Sequence, residues 1–237
     1  MLTDDFPRTG RTFLFQLNVT RRCNIRCTHC YISSEKKDIS PDWSEEDFMH
    51  VVQGVVDYLE HDSLTHQRYD SAEIHVIGGE PSELGLGFFQ SVLPKAKKLF
   101  QKSPYSIEFS IVTNLITPLS LSVARLFDSV STSYEIGSRF LKKKHEEMWR
   151  ANVTLLFADL ENKIVNTTKF SVTTCITRPL VEFGAENIIL RLVNLGFSNI
   201  HFGFFIPSGD GMANRDDIEP THLQTSSFYI AAFNWYI

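Results

Sequence analysis

The run Phe13-Leu14-Phe15-Gln16-Leu17-Asn18-Val19 leads almost directly into Cys23-Asn24-Ile25-Arg26-Cys27-Thr28-His29-Cys30-Tyr31. The first segment is apolar and strand-like. The second sets three cysteines in C-x3-C-x2-C spacing. The same succession of strand and polar motif occurs twice more. Ala72-Glu73-Ile74-His75-Val76-Ile77 leads into Gly78-Gly79-Glu80-Pro81, and Ile107-Glu108-Phe109-Ser110-Ile111 leads into Val112-Thr113-Asn114. In parallel α/β folds the carboxyl ends of the strands share one rim, and that rim hosts active sites. Three motifs that each follow a strand are therefore expected to converge on one place.

Outward from these motifs, strand-like and helix-like segments alternate. Phe48, Val51, Val52, Val55, Val56 and Leu59 recur at spacings of three and four, which predicts a helix over 44–60. Ser44 with Asp47 three residues later, and Glu45 and Glu46 in the first turn, suit its N-terminus, with Pro41 ending the loop before it. Further helices are expected over 88–100, with Pro94 bending or restarting it, near 119–127, from Arg139 towards Ala151, and over 186–195 with Gly196 as the C-terminal stop. Strands are expected at 13–19, 72–77, 107–113, 129–134, 169–176 and 199–206. Such alternation implies parallel strands with crossover helices. Six units suit either an open doubly wound sheet or an incomplete barrel, and periodicity does not choose between them.

At 237 residues and 43% hydrophobic content the chain holds enough apolar volume for one domain, much of it in 19 phenylalanines. No internal repeat, linker or low-complexity segment divides it. The net charge of −5 gives no sign of nucleic-acid binding. Lys142-Lys143-Lys144 reads as a solvated helix face. No run approaches the roughly 18 apolar residues of a membrane span. Asp4 and Asp5, with no apolar core region, argue against a secretory signal. Three of the four cysteines are clustered and only Cys175 is remote, so free thiols in a reducing cytoplasm fit better than two disulfides. Cys175 reads as an ordinary core cysteine.

Three thiols are too few for a closed four-ligand zinc site. On a cubane cluster they leave one of four irons open. The C-x3-C-x2-C loop after a first strand, followed in order by Gly78-Gly79-Glu80-Pro81 and Thr113-Asn114, resembles the radical S-adenosylmethionine (radical SAM) enzymes. The resemblance spans roughly residues 12–215. It implies a partial (β/α)6 TIM-like barrel, with 1–237 as a single radical SAM core domain and 216–237 as a helical tail. It further implies a 4Fe–4S cluster held by Cys23, Cys27 and Cys30, with S-adenosyl-L-methionine (SAM) on the open iron. The reduced cluster would cleave SAM to a 5′-deoxyadenosyl radical that abstracts hydrogen from substrate.

Other residues acquire roles through the same resemblance. Gly78 and Gly79 fit a turn where backbone approaches a ligand closely, and Pro81 suits the first position of the next helix. Glu80 is expected to accept from the methionine ammonium, the alternative being a carboxylate at a helix start. Asn114 is expected at the ribose hydroxyls. His29 stands where the family usually carries an aromatic residue near adenine. Its rival role is fourth ligand of a Cys3His zinc site. Glu135 and Arg139 follow the fourth strand, where peptide-modifying relatives usually read Ser-Leu-Asp-Gly. Tyr134-Glu135 replaces the Leu-Asp pair, and Arg139 is expected at a carboxylate of cofactor or substrate or at an exposed helix start. No catalytic residue is assigned beyond the cluster ligands. Arg21, Arg22 and Arg26 crowd the loop, mostly as solvated charges. His75 and His201 are expected to be satisfied core histidines.

The cysteine loop is closest in style to the SPASM/twitch-type peptide-modifying maturases, but no cysteine-rich extension follows Cys175. The apolar end Phe228-Tyr229-Ile230-Ala231-Ala232-Phe233-Asn234-Trp235-Tyr236-Ile237 implies either a truncated form or a tail covered by a partner chain. The expected function is radical chemistry on a peptide or protein side chain, with an electron donor of the flavodoxin or ferredoxin type. The alternatives are a glycyl-radical-enzyme activase, a small-molecule radical SAM enzyme, or a non-catalytic zinc or structural cluster-binding module.

Overall fold

The computed structural model describes residues 11–39, 41–65, 69–165 and 167–236. Asp4, Asp5 and Ile237 lie outside them. Six strands, β1 (Thr12–Thr20), β2 (Ser71–Gly78), β3 (Ser106–Val112), β4 (Ser129–Ser133), β5 (Lys169–Ile176) and β6 (Ile200–Phe204), form one sheet. Between and after them run the helices α1 (Ser34–Ile39), α2 (Glu45–Thr65), α3 (Leu86–Leu99), α4 (Pro118–Ala124), α5 (Lys143–Glu161), α6 (Arg178–Phe183), α7 (Ala185–Val193), α8 (Gly209–Ala213), α9 (Arg215–Ile218) and α10 (His222–Tyr236).

Strand order decides between the two architectures that periodicity left open. A doubly wound sheet reverses its order at a switch point. Here the order runs β1 to β6 without reversal, and every pair is parallel. The sheet is the partial (β/α)6 barrel, with β1 and β6 as its unpaired edges.

Its two faces differ in chemistry. Val19, Ile74, Val76, Phe109, Ile111, Val130, Val172 and Ile176 are buried and share one core with Phe48, Phe89, Trp149 and Ile188 of the helices. The alternate residues line the inner face. Register sets Gln16 beside His75, His75 beside Ser110, and Ser110 beside Ser129, with Ser131 beside Ser171 and Thr173 beside His201. A parallel sheet covered on both faces reads as continuous apolar runs. This one alternates because its inner face lines an open trough. His75 lies there paired with Glu73 at 2.6 Å, and His201 is exposed, so neither is a buried core histidine.

Local signals explain most boundaries. Ser44 and Asp47 form the expected capping box: Asp47 N–H donates to Ser44 Oγ at 3.1 Å and Ser44 N–H to Asp47 Oδ2 at 2.8 Å. Thr117 caps α4 in the same way, with Pro118 in the first turn. The helix α3 runs through Pro94 without restarting. The helix expected from Arg139 begins instead at Lys143 and runs to Glu161. Arg139 turns inward to Glu135, which holds the chain in a turn there, while Trp149, Val153 and Leu156 carry the apolar stripe past Ala151. The helix α6 was not foreseen. Gly184, at φ +94°, separates it from α7. In α10, Phe228 is buried against Phe202 of β6, and Tyr229 Oη donates to Phe202 O at 2.9 Å. Leu223, Ile230 and Phe233 of the same helix are exposed.

Candidate active site

The three motifs meet at the carboxyl rim, joined by backbone. Gly79 N–H donates to Thr20 O at 2.8 Å, and Glu80 N–H to Arg22 O at 2.7 Å. A Cβ on Gly78 would lie 2.2 Å from Thr20 O, and one on Gly79 2.2 Å from Arg22 O. The glycines are therefore required by the close approach of β2 to the start of the cysteine loop. They also line the cavity that this approach leaves open.

Glu80 is wholly buried. Its Oε1 accepts from Ser82 N–H at 3.2 Å, Ser82 Oγ at 2.7 Å and Thr113 Oγ1 at 2.7 Å, and its Oε2 accepts from Asn114 N–H at 2.6 Å. Burial pushes its carboxyl above the ordinary range despite these donors. Asn114 Nδ2 donates onward to Asn24 Oδ1 at 2.7 Å. One chain of hydrogen bonds thus links the Gly-Gly-Glu-Pro turn, the Thr113-Asn114 turn and the cysteine loop. Pro81 opens a single 3-10 turn, Pro81–Leu84, with Glu80 as its cap. Glu80 takes the helix-start position of the second sequence reading, and the same carboxylate ties down Asn114.

The cavity measures about 350 Å³. Its walls include Cys23, Cys27, Cys30, His29, Gly78, Gly79, Asn114 and Arg139. Glu80, Pro81 and Glu135 stand behind those walls. All four cysteines are free. Burial raises the Cys23 thiol and pushes Cys27 up to about 12, partly opposed by the Arg139 guanidinium. Among the described residues, no three His, Cys, Asp or Glu side chains draw together as a single ion requires. The thiols are instead spread around a shared space. Thiolate donors suit iron–sulfur clusters. The residues present fit a multi-iron cluster, with Arg139 close enough to offset its charge.

Glu135 and Arg139 form a buried ion pair, Arg139 Nε donating to Glu135 Oε2. Cys175 N–H donates to Glu135 Oε1 at 3.2 Å, and His29 Nε2 lies 3.5 Å from Oε2. Burial alone would raise the Glu135 carboxyl, but Arg139 and His29 outweigh it and hold it below its usual range. Burial lowers the pKa of His29, opposed by the Glu135 carboxylate beside it. Of the loop arginines, Arg22 pairs with Asp42 at 2.7 Å and Arg26 Nη1 donates to Cys23 O at 2.6 Å.

Sequence reasoning does not point to Cys175 or Lys37 as cavity residues, nor to Asp210 as a brace. Cys175 reads as a core cysteine in the sequence, whereas it lines the same space as the other three. Its place at the carboxyl end of β5 was the available signal. Lys37 also reaches the cavity, held by Asp210. A lysine just past the third cysteine gives no signal until the turn that carries Asp210 is folded against it.

Fold and site together define a parallel half-barrel with a cavity lined by four thiols at its carboxyl rim. No family model matches the chain. A curated relative, an S-adenosylmethionine-dependent nucleotide dehydratase from Pseudoalteromonas ulvae, is 28% identical over 131 residues, 52% of this chain and 40% of its own. Native anSMEcpe with bound AdoMet matches at TM-score 0.63 and 18% identity, over 82% of this chain and 52% of that one. The same protein with AdoMet and Cp18Cys peptide gives 0.56 and 16%, over 83% and 52%. Coproporphyrinogen III oxidase (HemN) from Escherichia coli, a radical SAM enzyme, gives 0.50 and 14%, over 97% and 53%. The chain therefore spans about half the length of these solved structures and 40% of the curated relative. Its fold is that of the radical SAM enzymes.

Proposed function

We propose that this chain is a radical SAM enzyme whose 4Fe–4S cluster is held by Cys23, Cys27 and Cys30. The observation that carries the reading is the convergence of three free thiols with Gly78, Gly79 and Asn114 on one cavity at the carboxyl rim. With cluster and SAM bound, such a site supplies a 5′-deoxyadenosyl radical that takes hydrogen from substrate. The chain's own residues hold, orient and screen. Cys23, Cys27 and Cys30 would ligate three irons. Arg139 would offer its buried guanidinium to the cofactor carboxylate, with Glu135 fixing its direction. Asn114 keeps one amide N–H beyond its bond to Asn24, which would serve the ribose hydroxyls. Glu80 works by positioning Asn114 and Thr113. Ile77, Tyr31, Phe204 and Ile206 make part of the walls apolar.

The substrate in this reading is a peptide or protein side chain. The style of the cysteine loop supports it, as does the peptide bound to anSMEcpe. A second reading, a nucleotide substrate, is favoured by the dehydratase relative. An electron donor of the flavodoxin or ferredoxin type belongs to the proposal, and the free thiols suit a reducing cytoplasm. No helix among the described residues is long and apolar enough to cross a membrane.

Metal analysis after anaerobic reconstitution tests the site. About four irons and about four sulfides per chain are expected. About one zinc and no iron would contradict the proposal and favour a structural metal.

A further inference from the structure

Lys37, on α1 just beyond Cys30, is only 1% exposed. Lysine is almost never buried to that degree without a partner. Its Nζ lies 3.2 Å from Asp210 Oδ2. It also forms part of the cavity wall.

Asp210 is itself held in place. Its Oδ1 accepts from Ser34 N–H at 2.7 Å, and its Oδ2 from Ser34 Oγ at 2.6 Å. The segment that carries it is clamped onto the cysteine loop. Gly211 N–H donates to Cys30 O at 2.9 Å, and Asn214 Nδ2 to Thr28 O at 3.3 Å. Gly209 has φ +55°, and a Cβ there would fall 2.4 Å from Tyr31 O. The turn after β6 can press this closely on the loop only because residue 209 has no side chain.

We propose that Lys37 is a positioned cation in the wall of the cluster cavity that raises the reduction potential of the bound cluster, with Asp210 as the brace that holds it there. The inference rests on the reading of the site given above. Reduction adds negative charge to a cluster. A cation or an N–H···S hydrogen bond stabilises the reduced form, and hydrogen bonds to the sulfurs and net charge are recognised determinants of cluster potential. Lys37 and Asp210 are neutral as a pair, so they act on the cluster as an oriented dipole. Lys37 lines the same cavity as Cys30. Lys37 is thus a positioning residue for electron entry.

The test is a redox titration followed by electron paramagnetic resonance. It uses reconstituted protein without SAM, in the wild type, Lys37→Met, Lys37→Gln and Lys37→Arg. The midpoint should move to more negative potential in Lys37→Met. It should fall likewise in Lys37→Gln, which is polar without the charge, and stay near the wild type in Lys37→Arg. If Lys37→Met does not load, the comparison of Gln with Arg carries the same contrast. A fully iron-loaded variant without the cation that keeps the wild-type midpoint overturns this inference and leaves the proposed function standing. A wild-type chain that takes up no cluster overturns both.

Discussion

Glu80 shows how much one buried carboxylate organises. It accepts from Ser82, Thr113 and Asn114, and Asn114 passes the tie on to the cysteine loop. Replacing Glu80 with alanine strands several buried donors, each worth about 1–3 kcal/mol when left unpaired. We expect Glu80→Ala to lower the urea midpoint clearly and to weaken SAM binding. A variant within about 0.5 kcal/mol of the wild type, the range of ordinary surface changes, would contradict this role. The motif residues themselves were legible because their order and spacing are local properties of the sequence. Their division of labour was not. Whether Glu80 touches the cofactor or braces Asn114 depends on the packing of β2 against β3, which no spacing records. Lys37 and Asp210 lie still further from legibility, since their contact joins the start and the end of the barrel.

At the scale of elements, the six strands fall where alternation places them, and errors concentrate at helix ends. The start of α5 was misjudged because the inward turn of Arg139 towards Glu135 is a tertiary event. The core that α5 supplies invites a direct test. Trp149 is fully buried and donates from Nε1 to Thr132 Oγ1 at 3.0 Å. Trp149→Ala should cost about 3–5 kcal/mol in urea unfolding, and a loss below about 1 kcal/mol would show that the helix docks by other contacts. Glu146, on the same helix, accepts from Tyr134 Oη at 2.8 Å and from Arg150 Nη2 at 2.8 Å. Burial would raise its carboxyl, but Arg150 and Tyr134 hold it below the usual value. A carboxyl depressed in the folded state adds stability that is fully present above the unfolded pKa of about 4.3 and is lost as pH falls through the lower folded value. Glu146→Gln should therefore lower the urea midpoint at neutral pH and converge with the wild type in acid. An equal deficit at both pH values would contradict the linkage.

For the whole molecule, the sequential order of β1 to β6 is the fact that periodicity withheld. Alternating strands and helices are common to open doubly wound sheets and barrels, and only pairing distinguishes them. The order found puts every motif-bearing strand end on one rim, with a polar inner face below it. The central claim is that this rim holds a cluster able to cleave SAM. Its most direct test is 5′-deoxyadenosine production by anaerobically reconstituted protein with dithionite and SAM, run beside Cys27→Ala. The account predicts 5′-deoxyadenosine from the wild type and none above background from Cys27→Ala. An iron-loaded wild type that yields no more than the variant would contradict it.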